Sequence, residues 1–213
     1  MSQRPVIVIG SGGHAKVLVD LLLAAGREIL FCTDHSQTRH GQSLLGVSIA
    51  GPDELVLERS TDEVELVNGI GSVGVAELRT KIYDAWTERG YQFATVIHPS
   101  AYVSPSARVS EGVQIMAHAV VQPEAVIGEN TIINTAATVD HDCQIGSHNH
   151  IAPGCTLSGS VRTGNECHLG VGATIIQQVT IGHRVIVGAG ATVIRDVPDN
   201  QTVVGTPAKT IGS

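Results

Sequence analysis

From Ala101 onward an aliphatic residue returns at every sixth position. The series begins at Val103, Val109, Ile115 and Val121 and runs in step to Val187 and Val193, and of its sixteen positions only Thr163 is not Val, Ile or Leu. The positions two residues earlier are mostly small: Ala101, Ala107, Ala119, Ala125, Ala137, Cys143, Cys155, Cys167, Ala173 and Ala191. A register held this long predicts a solenoid in which each short unit buries one side chain against its neighbours.

The first part of the chain has another grammar. Pro5 to Ile9 predicts a buried strand, Gly10 to Gly13 a glycine turn, and His14 to Ala25 an amphipathic helix stopped by Gly26. Strands are expected at Glu28 to Thr33 and at Val64 to Ile70, then a helix from about Val75 to Arg89 and a last strand near Phe93 to Ile97. Alternating strands and helices predict a small parallel α/β domain with ligands at the carboxyl ends of its strands. The expected division is residues 1–98 for this domain and 99–213 for the solenoid.

Composition narrows the chemistry. Aromatic residues make up only 3 % of the 213 positions, so the core must be built from small and β-branched side chains. A formal net charge of -7 argues against nucleic acid, which selects a basic face. No apolar run suggests a signal peptide or a membrane span, so a soluble, cytoplasmic protein is expected with no membrane partner. The four cysteines form no CxxC pair, and neither a disulfide framework nor a metal site is expected from them.

The six-residue repeat resembles the hexapeptide-repeat left-handed parallel β-helix, in which three hexads make a triangular coil of about 18 residues. Sixteen hexads then give about five coils. Cys143, Cys155 and Cys167, twelve residues apart, fall on different sides of the triangle and are expected as small core hydrophobes. The ending VIVGAGATVIRDVPDNQTVVGTPAKTI looks like the C-terminal signature of hexapeptide acyltransferases. Together with VIVIGSGGHAKVLVDLL at the front and NTAATVDHDCQIGSHNHIAPG in the middle, it makes the whole chain resemble bacterial nucleotide-sugar N-acetyltransferases related to sialic acid O-acetyltransferases. The resemblance implies a small Rossmann-like α/β domain followed by the β-helix. It also implies acetyl transfer from acetyl-CoA to the 4-amino group of a nucleotide-linked deoxyamino sugar, with GDP-perosamine the foremost acceptor, for surface polysaccharide (O-antigen or lipopolysaccharide) biosynthesis. A homotrimer with active sites between subunits is implied as well. O-acetylation of a sialic acid is the nearest alternative. A zinc lyase resembling γ-carbonic anhydrase is the alternative from another class, but it leaves the α/β domain and the GTPAK ending without a role.

Within TVDHDCQIG, an inward Val139 leaves Asp140, His141 and Asp142 at a corner. An ammonium acceptor must lose a proton to attack a thioester, and a neutral imidazole oriented by a carboxylate does this near neutral pH. His141 is the expected general base. Asp142 is favoured over Asp140 as its orienter, and a merely solvated polar corner is the competing reading. One coil further lies Gly159, which would leave room for the thioester and offer an N–H to the oxyanion. The resemblance implies acetyl-CoA contacts at His150, Val171 and Ala189 and no metal. The turn Gly10-Ser-Gly-Gly-His-Ala15 fits G-x-G-x-x-A, which alone suggests a dinucleotide, yet the domain lacks a second mononucleotide half and NAD is not expected. In the family this turn holds the sugar nucleotide, which assigns Gly12, Gly13 and His14 to substrate, with Asp34, His35, Gly71 and Ser72 beside them.

Overall fold

The computed structural model describes residues 4–74 and 76–211. Its first part is a five-stranded sheet of β1 (Val6–Ile9), β2 (Ile29–Thr33), β3 (Ser43–Leu44), β4 (Val47–Gly51) and β5 (Glu65–Asn68), in the order β3-β4-β2-β1-β5. All neighbours are parallel except the β3–β4 hairpin, which closes one edge. Helix α1 (Gly13–Ala24) buries Ala15, Leu18, Val19, Leu21 and Leu22, one apolar stripe at helical spacing. It stops where Gly26 takes φ +68°. Helix α2 (Glu77–Thr87) buries Arg79, Tyr83 and Trp86, with the Tyr83 ring stacked 4.7 Å from Phe93. The expected start of this helix at Val75 lies outside the described residues. Strands β3 and β4 occupy a stretch for which the sequence pattern suggested no element.

From Val96 the chain winds into a three-faced prism of two-residue strands. The first face stacks Val96–Ile97, Gln114–Ile115, Ile132–Ile133, His150–Ile151, His168–Leu169 and Ile186–Val187, then Thr202–Val204 and the antiparallel Lys209–Ile211. The second runs from Tyr102–Val103 to Thr192–Val193, and the third from Arg108–Val109 to Thr180–Ile181. In-register pairs such as His150 with His168 show a coil of 18 residues. The second residue of each strand points inward, as the hexad series required. From Ile115 to Val193 every such position is buried, while Val103 and Val109 at the open end are partly so.

The strand expected near Phe93 to Ile97 is divided between the two parts. Phe93 bridges to Leu66 of β5, whereas Val96–Ile97 pairs with Gln114–Ile115 and starts the prism. The physical reason is burial: Val96 lies in one apolar cluster with Leu22 of α1 and with Met116 and Ile132 of the first face. That shared cluster seats the α/β domain on the first face and leaves the other two faces open.

Thr163, the one break in the aliphatic series, belongs to a polar group inside the prism. Its Oγ1 lies 2.9 Å from Asn149 Nδ2, and Asn149 Oδ1 accepts the Cys167 amide at 2.6 Å. The Asn149 amide in turn donates to Thr131 Oγ1 at 3.1 Å. Buried polar groups persist when each finds such partners. Replacing Asn149 with Ala orphans the Cys167 N–H. Urea denaturation is expected to show a loss of about 2–3 kcal/mol with the far-UV dichroism of the native state unchanged.

Candidate active site

At the His141 corner of the prism both residues are exposed, and at most corners the second residue is held in the left-handed backbone region. Asp142 is one of these, at φ +61°, a conformation that aspartate tolerates better than most residues. The corner places its carboxylate on the neighbouring ring, with Asp142 Oδ2 2.6 Å from His141 Nδ1. Asp140 instead turns back, and its Oδ1 accepts the His141 amide at 2.7 Å. The two carboxylates thus divide the work, Asp142 on the imidazole and Asp140 on the backbone. The hydrogen bond from Asp142, with the nearby Asp140 charge adding to it, raises the His141 pKa above its ordinary value of 6.5. With Nδ1–H donated to Asp142, Nε2 is left bare as a proton acceptor.

Gly159 lies against this ring. A Cβ at that position would stand 2.6 Å from His141 Cε1 and 2.7 Å from Nε2, closer than packed carbon atoms approach, so the ring keeps its place only above a glycine. The Ser160 amide donates to the His141 carbonyl at 2.9 Å and ties the two coils together.

The glycine turn forms a second locus. The loops after β1 and β5 leave their adjacent strands and enclose a cleft of about 400 Å³, where such sheets place ligands. Gly12, Gly13, His14, Gly71 and Ser72 all line it, and so does His150 from the first face of the prism. His150 was expected beside acetyl-CoA, and here it sits among the residues expected on the nucleotide sugar. Its Nδ1 lies 3.0 Å from Ser72 O, and its Nε2 accepts from Asn134 Nδ2 at 2.9 Å. The His168 ring meets it edge-on at 5.0 Å.

His14 crosses the same boundary. Its Nε2 is 2.8 Å from Gln114 Oε1, and Gln114 Nε2 donates to Asn68 O at 2.8 Å, which assigns the ring an Nε2–H and a bare Nδ1. Burial pushes the His14 pKa down to about 3 and that of His150 to about 4, so both rings are neutral. Gln114, Asn68 and Asn134 escaped the sequence reading because no local motif marks them.

Asp34 ends β2 as expected and is buried, hydrogen-bonded by the Ser11 hydroxyl and by the Ser36 amide at 2.8 Å. Burial raises its pKa, but those bonds with Arg39 and His35 outweigh this and hold the carboxyl below its ordinary value. His35 beside it is exposed, its Nδ1 3.6 Å from Asp34 Oδ1. Val171 and Ala189 stack on the edge between the first and second faces, with the Gly190 amide donating to Val171 O at 2.8 Å. His141 is on the edge between the second and third faces. The structure therefore joins His141, Asp142 and Gly159 in one place and Gly12, Gly13, His14, Gly71, Ser72 and His150 in another, with Val171 and Ala189 on a third. Cys143, Cys155 and Cys167 are buried, and burial pushes their thiols up to about 11 or 12. Among the described residues no group of three or more His, Cys, Asp or Glu side chains is arranged to hold a metal ion, and no helix is long and apolar enough to cross a membrane.

A solenoid with an oriented histidine on its corner and a glycine-turn domain on its face defines an acyltransferase of the hexapeptide-repeat class. Comparison with known proteins narrows this. The PglD N-terminal domain matches residues 5–85, and the bacterial transferase hexapeptide (six repeats) matches residues 124–159. A histidine-to-asparagine variant of perosamine N-acetyltransferase from Caulobacter crescentus, crystallised with CoA and GDP-perosamine, superposes with a TM-score of 0.90. It is 40% identical, over 100% of this chain and 99% of that one. The acetyltransferase domain of PglB from Neisseria gonorrhoeae, in complex with acetyl coenzyme A, gives a TM-score of 0.90 at 39% identity, over 99% of this chain and 100% of that one. UDP-N-acetylbacillosamine N-acetyltransferase from Bacillus subtilis is 39% identical over 119 residues, 54% of this chain. That match spans about half the length of the curated relative, 52%. The chain belongs to the bacterial nucleotide-sugar N-acetyltransferases of the hexapeptide-repeat family, and its prism is their left-handed β-helix.

The neutral histidines between the two domains make stability depend on pH. Their folded pKa values lie below the ordinary 6.5, so between those values the unfolded chain binds more protons. The stability they contribute is complete above pH 6.5 and is lost as the pH falls through about 4 for His150 and about 3 for His14. Thermal melts are expected to show a falling midpoint over that interval, and replacing both His14 and His150 with Gln is expected to make the fall shallower, with His148 and His168, whose pKa values burial also lowers, leaving a residual slope.

Proposed function

We propose that this protein transfers the acetyl group of acetyl-CoA to the 4-amino group of a nucleotide-linked deoxyamino sugar, by direct attack with His141 as general base. The observation that carries the reading is the His141–Asp142 pair at 2.6 Å above Gly159, on a chain that matches acetyltransferase structures from end to end. The amine nitrogen attacks the thioester carbonyl, and its proton passes to His141 Nε2. Asp142 stabilises the imidazolium that forms. The Gly159 N–H is the proposed donor to the carbonyl oxygen as it gains charge. Collapse of the tetrahedral adduct breaks the C–S bond, and His141 returns the proton to the leaving thiolate. No acyl-enzyme is needed.

The acceptor is assigned to the cleft of Gly12, Gly13, His14, Gly71 and Ser72, where free amides at the start of α1 suit a pyrophosphate. Asp34 and His35 are assigned to its nucleoside. GDP-perosamine is the first acceptor to test, because the Caulobacter relative is bound to it at 40% identity over its whole length. His150, Val171 and Ala189 are assigned to acetyl-CoA, with His150 reaching both substrates from the cleft wall. A role in surface polysaccharide biosynthesis in the cytoplasm accords with this substrate class.

Release of CoA thiol should be followed across GDP-, UDP- and dTDP-linked amino sugars and free sialic acids, with nucleotide amino sugars alone expected to be acetylated. Replacing His141 with Asn is expected to remove turnover while nucleotide-sugar binding persists, and unchanged turnover would discard His141 as the base. Because the base works unprotonated and Asp142 raises its pKa, activity falls as the pH drops through a value above 6.5. In Asp142→Ala that acidic limb is expected to move to lower pH as overall activity drops.

We further propose a homotrimer with shared active sites. His141 and the Val171–Ala189 edge are separated by one face of the prism, so a thioester lying along one edge meets the base of a neighbouring chain. The first face is already covered by the α/β domain, which leaves the second and third for partners. Sedimentation equilibrium is expected to return three times the 22.2 kDa chain mass, and a monomer or dimer at working concentration would contradict this arrangement.

A further inference from the structure

We propose that Arg79 is a positioning residue for the nucleotide sugar: a buried, unpaired cation that holds the Asn68–Ile70 turn and supplies positive charge behind the cleft for the pyrophosphate. The inference rests on the nucleotide-sugar reading above. Arg79 is 1% exposed and is the largest fully buried side chain. Its Nη1 donates to Asn68 O at 2.9 Å and Ile70 O at 2.7 Å, and its Nε donates to Asn130 O at 3.2 Å. Its Nη2 has no hydrogen-bond partner, and no described carboxylate lies within ion-pair distance of it.

A carbonyl clamp alone does not need a charge. Gln114 already donates to the same Asn68 carbonyl at 2.8 Å as a neutral amide. Burying a guanidinium without a counter-ion is costly, and the cost is recovered when an anion arrives within reach in a low-dielectric setting. The cleft provides the place for one. None of its lining residues carries a formal charge, and its two histidines are neutral. Arg79 reaches this lining directly at Ile70 O, and reaches His14 through the shared Asn68 carbonyl and Gln114. Burial does most to lower the His14 and His150 pKa values, and the Arg79 charge adds to it in both. Burial lowers the Arg79 pKa to about 9, so the group stays charged at neutral pH.

The test compares Arg79→Gln, which keeps a donor and removes the charge, with Arg79→Lys, which keeps the charge. Both variants are checked by circular dichroism and titrated calorimetrically with GDP, UDP, dTDP and acetyl-CoA. Arg79→Gln is expected to weaken the diphosphate bound by the wild type by about tenfold or more, while Arg79→Lys retains most of that affinity and acetyl-CoA binding is unchanged in both. Unaltered diphosphate binding in Arg79→Gln, or equal losses in the two variants, would overturn the inference while leaving the acetyltransferase reading intact. Should Arg79→Gln not fold, Arg79→Lys decides: retained affinity supports the role, and a loss of about tenfold overturns it. A wild-type protein that binds none of the three diphosphates would overturn the nucleotide-sugar reading and this inference with it.

Discussion

The structure depends on one constraint: the interior of the prism is closed and packed, so one side chain in every six must point inward and, with one hydrogen-bonded exception, be apolar. Everything else in the C-terminal part follows from that register. Side chains next to an inward residue face out along a flat wall, and exposed corner residues such as His141 and Asp142 leave the prism freely. A reactive group can therefore be placed at a corner without disturbing the core. Val139 and Ile145 keep the interior on either side of His141. The 18-residue coil then stacks Gly159 under the ring and fixes what the histidine meets next.

The same constraint explains the one polar group within the core. Thr163 breaks the aliphatic series, Thr131 and Asn149 fill two of the small-residue positions, and each supplies what another lacks. A lone polar side chain there would be expensive, whereas a mutually bonded set specifies the alignment of three coils.

The junction between the two parts follows a different logic. It combines an apolar cluster around Leu22, Val96, Met116 and Ile132 with a polar line through His14, Gln114, Asn68 and Arg79. Polar bonds are directional, so this line sets the loops after β1 and β5 at a defined height above the first face. The cleft is thereby built from both domains, with His150 arriving from the prism. Neutral histidines suit this position, since burial disfavours a charged ring.

The sequence by itself determined the solenoid, its coil count and the corner that carries His141, because a period of six is a local pattern that no long-range contact has to supply. It also determined the opening strand, turn and helix, where glycine placement and an apolar stripe act over a few residues. Tertiary structure decided the rest. Asp140 and Asp142 flank His141 alike and the sequence only favoured Asp142; in the fold the left-handed backbone of Asp142 turns its carboxylate to the ring while Asp140 bonds its own chain. Val96 and Ile97 read as a sheet strand until burial against α1 drew them into the prism. Gln114, Asn68, Asn134 and Arg79 had no signature at all, since their roles arise from contacts between residues far apart in the chain, and these exist only once the two domains have docked.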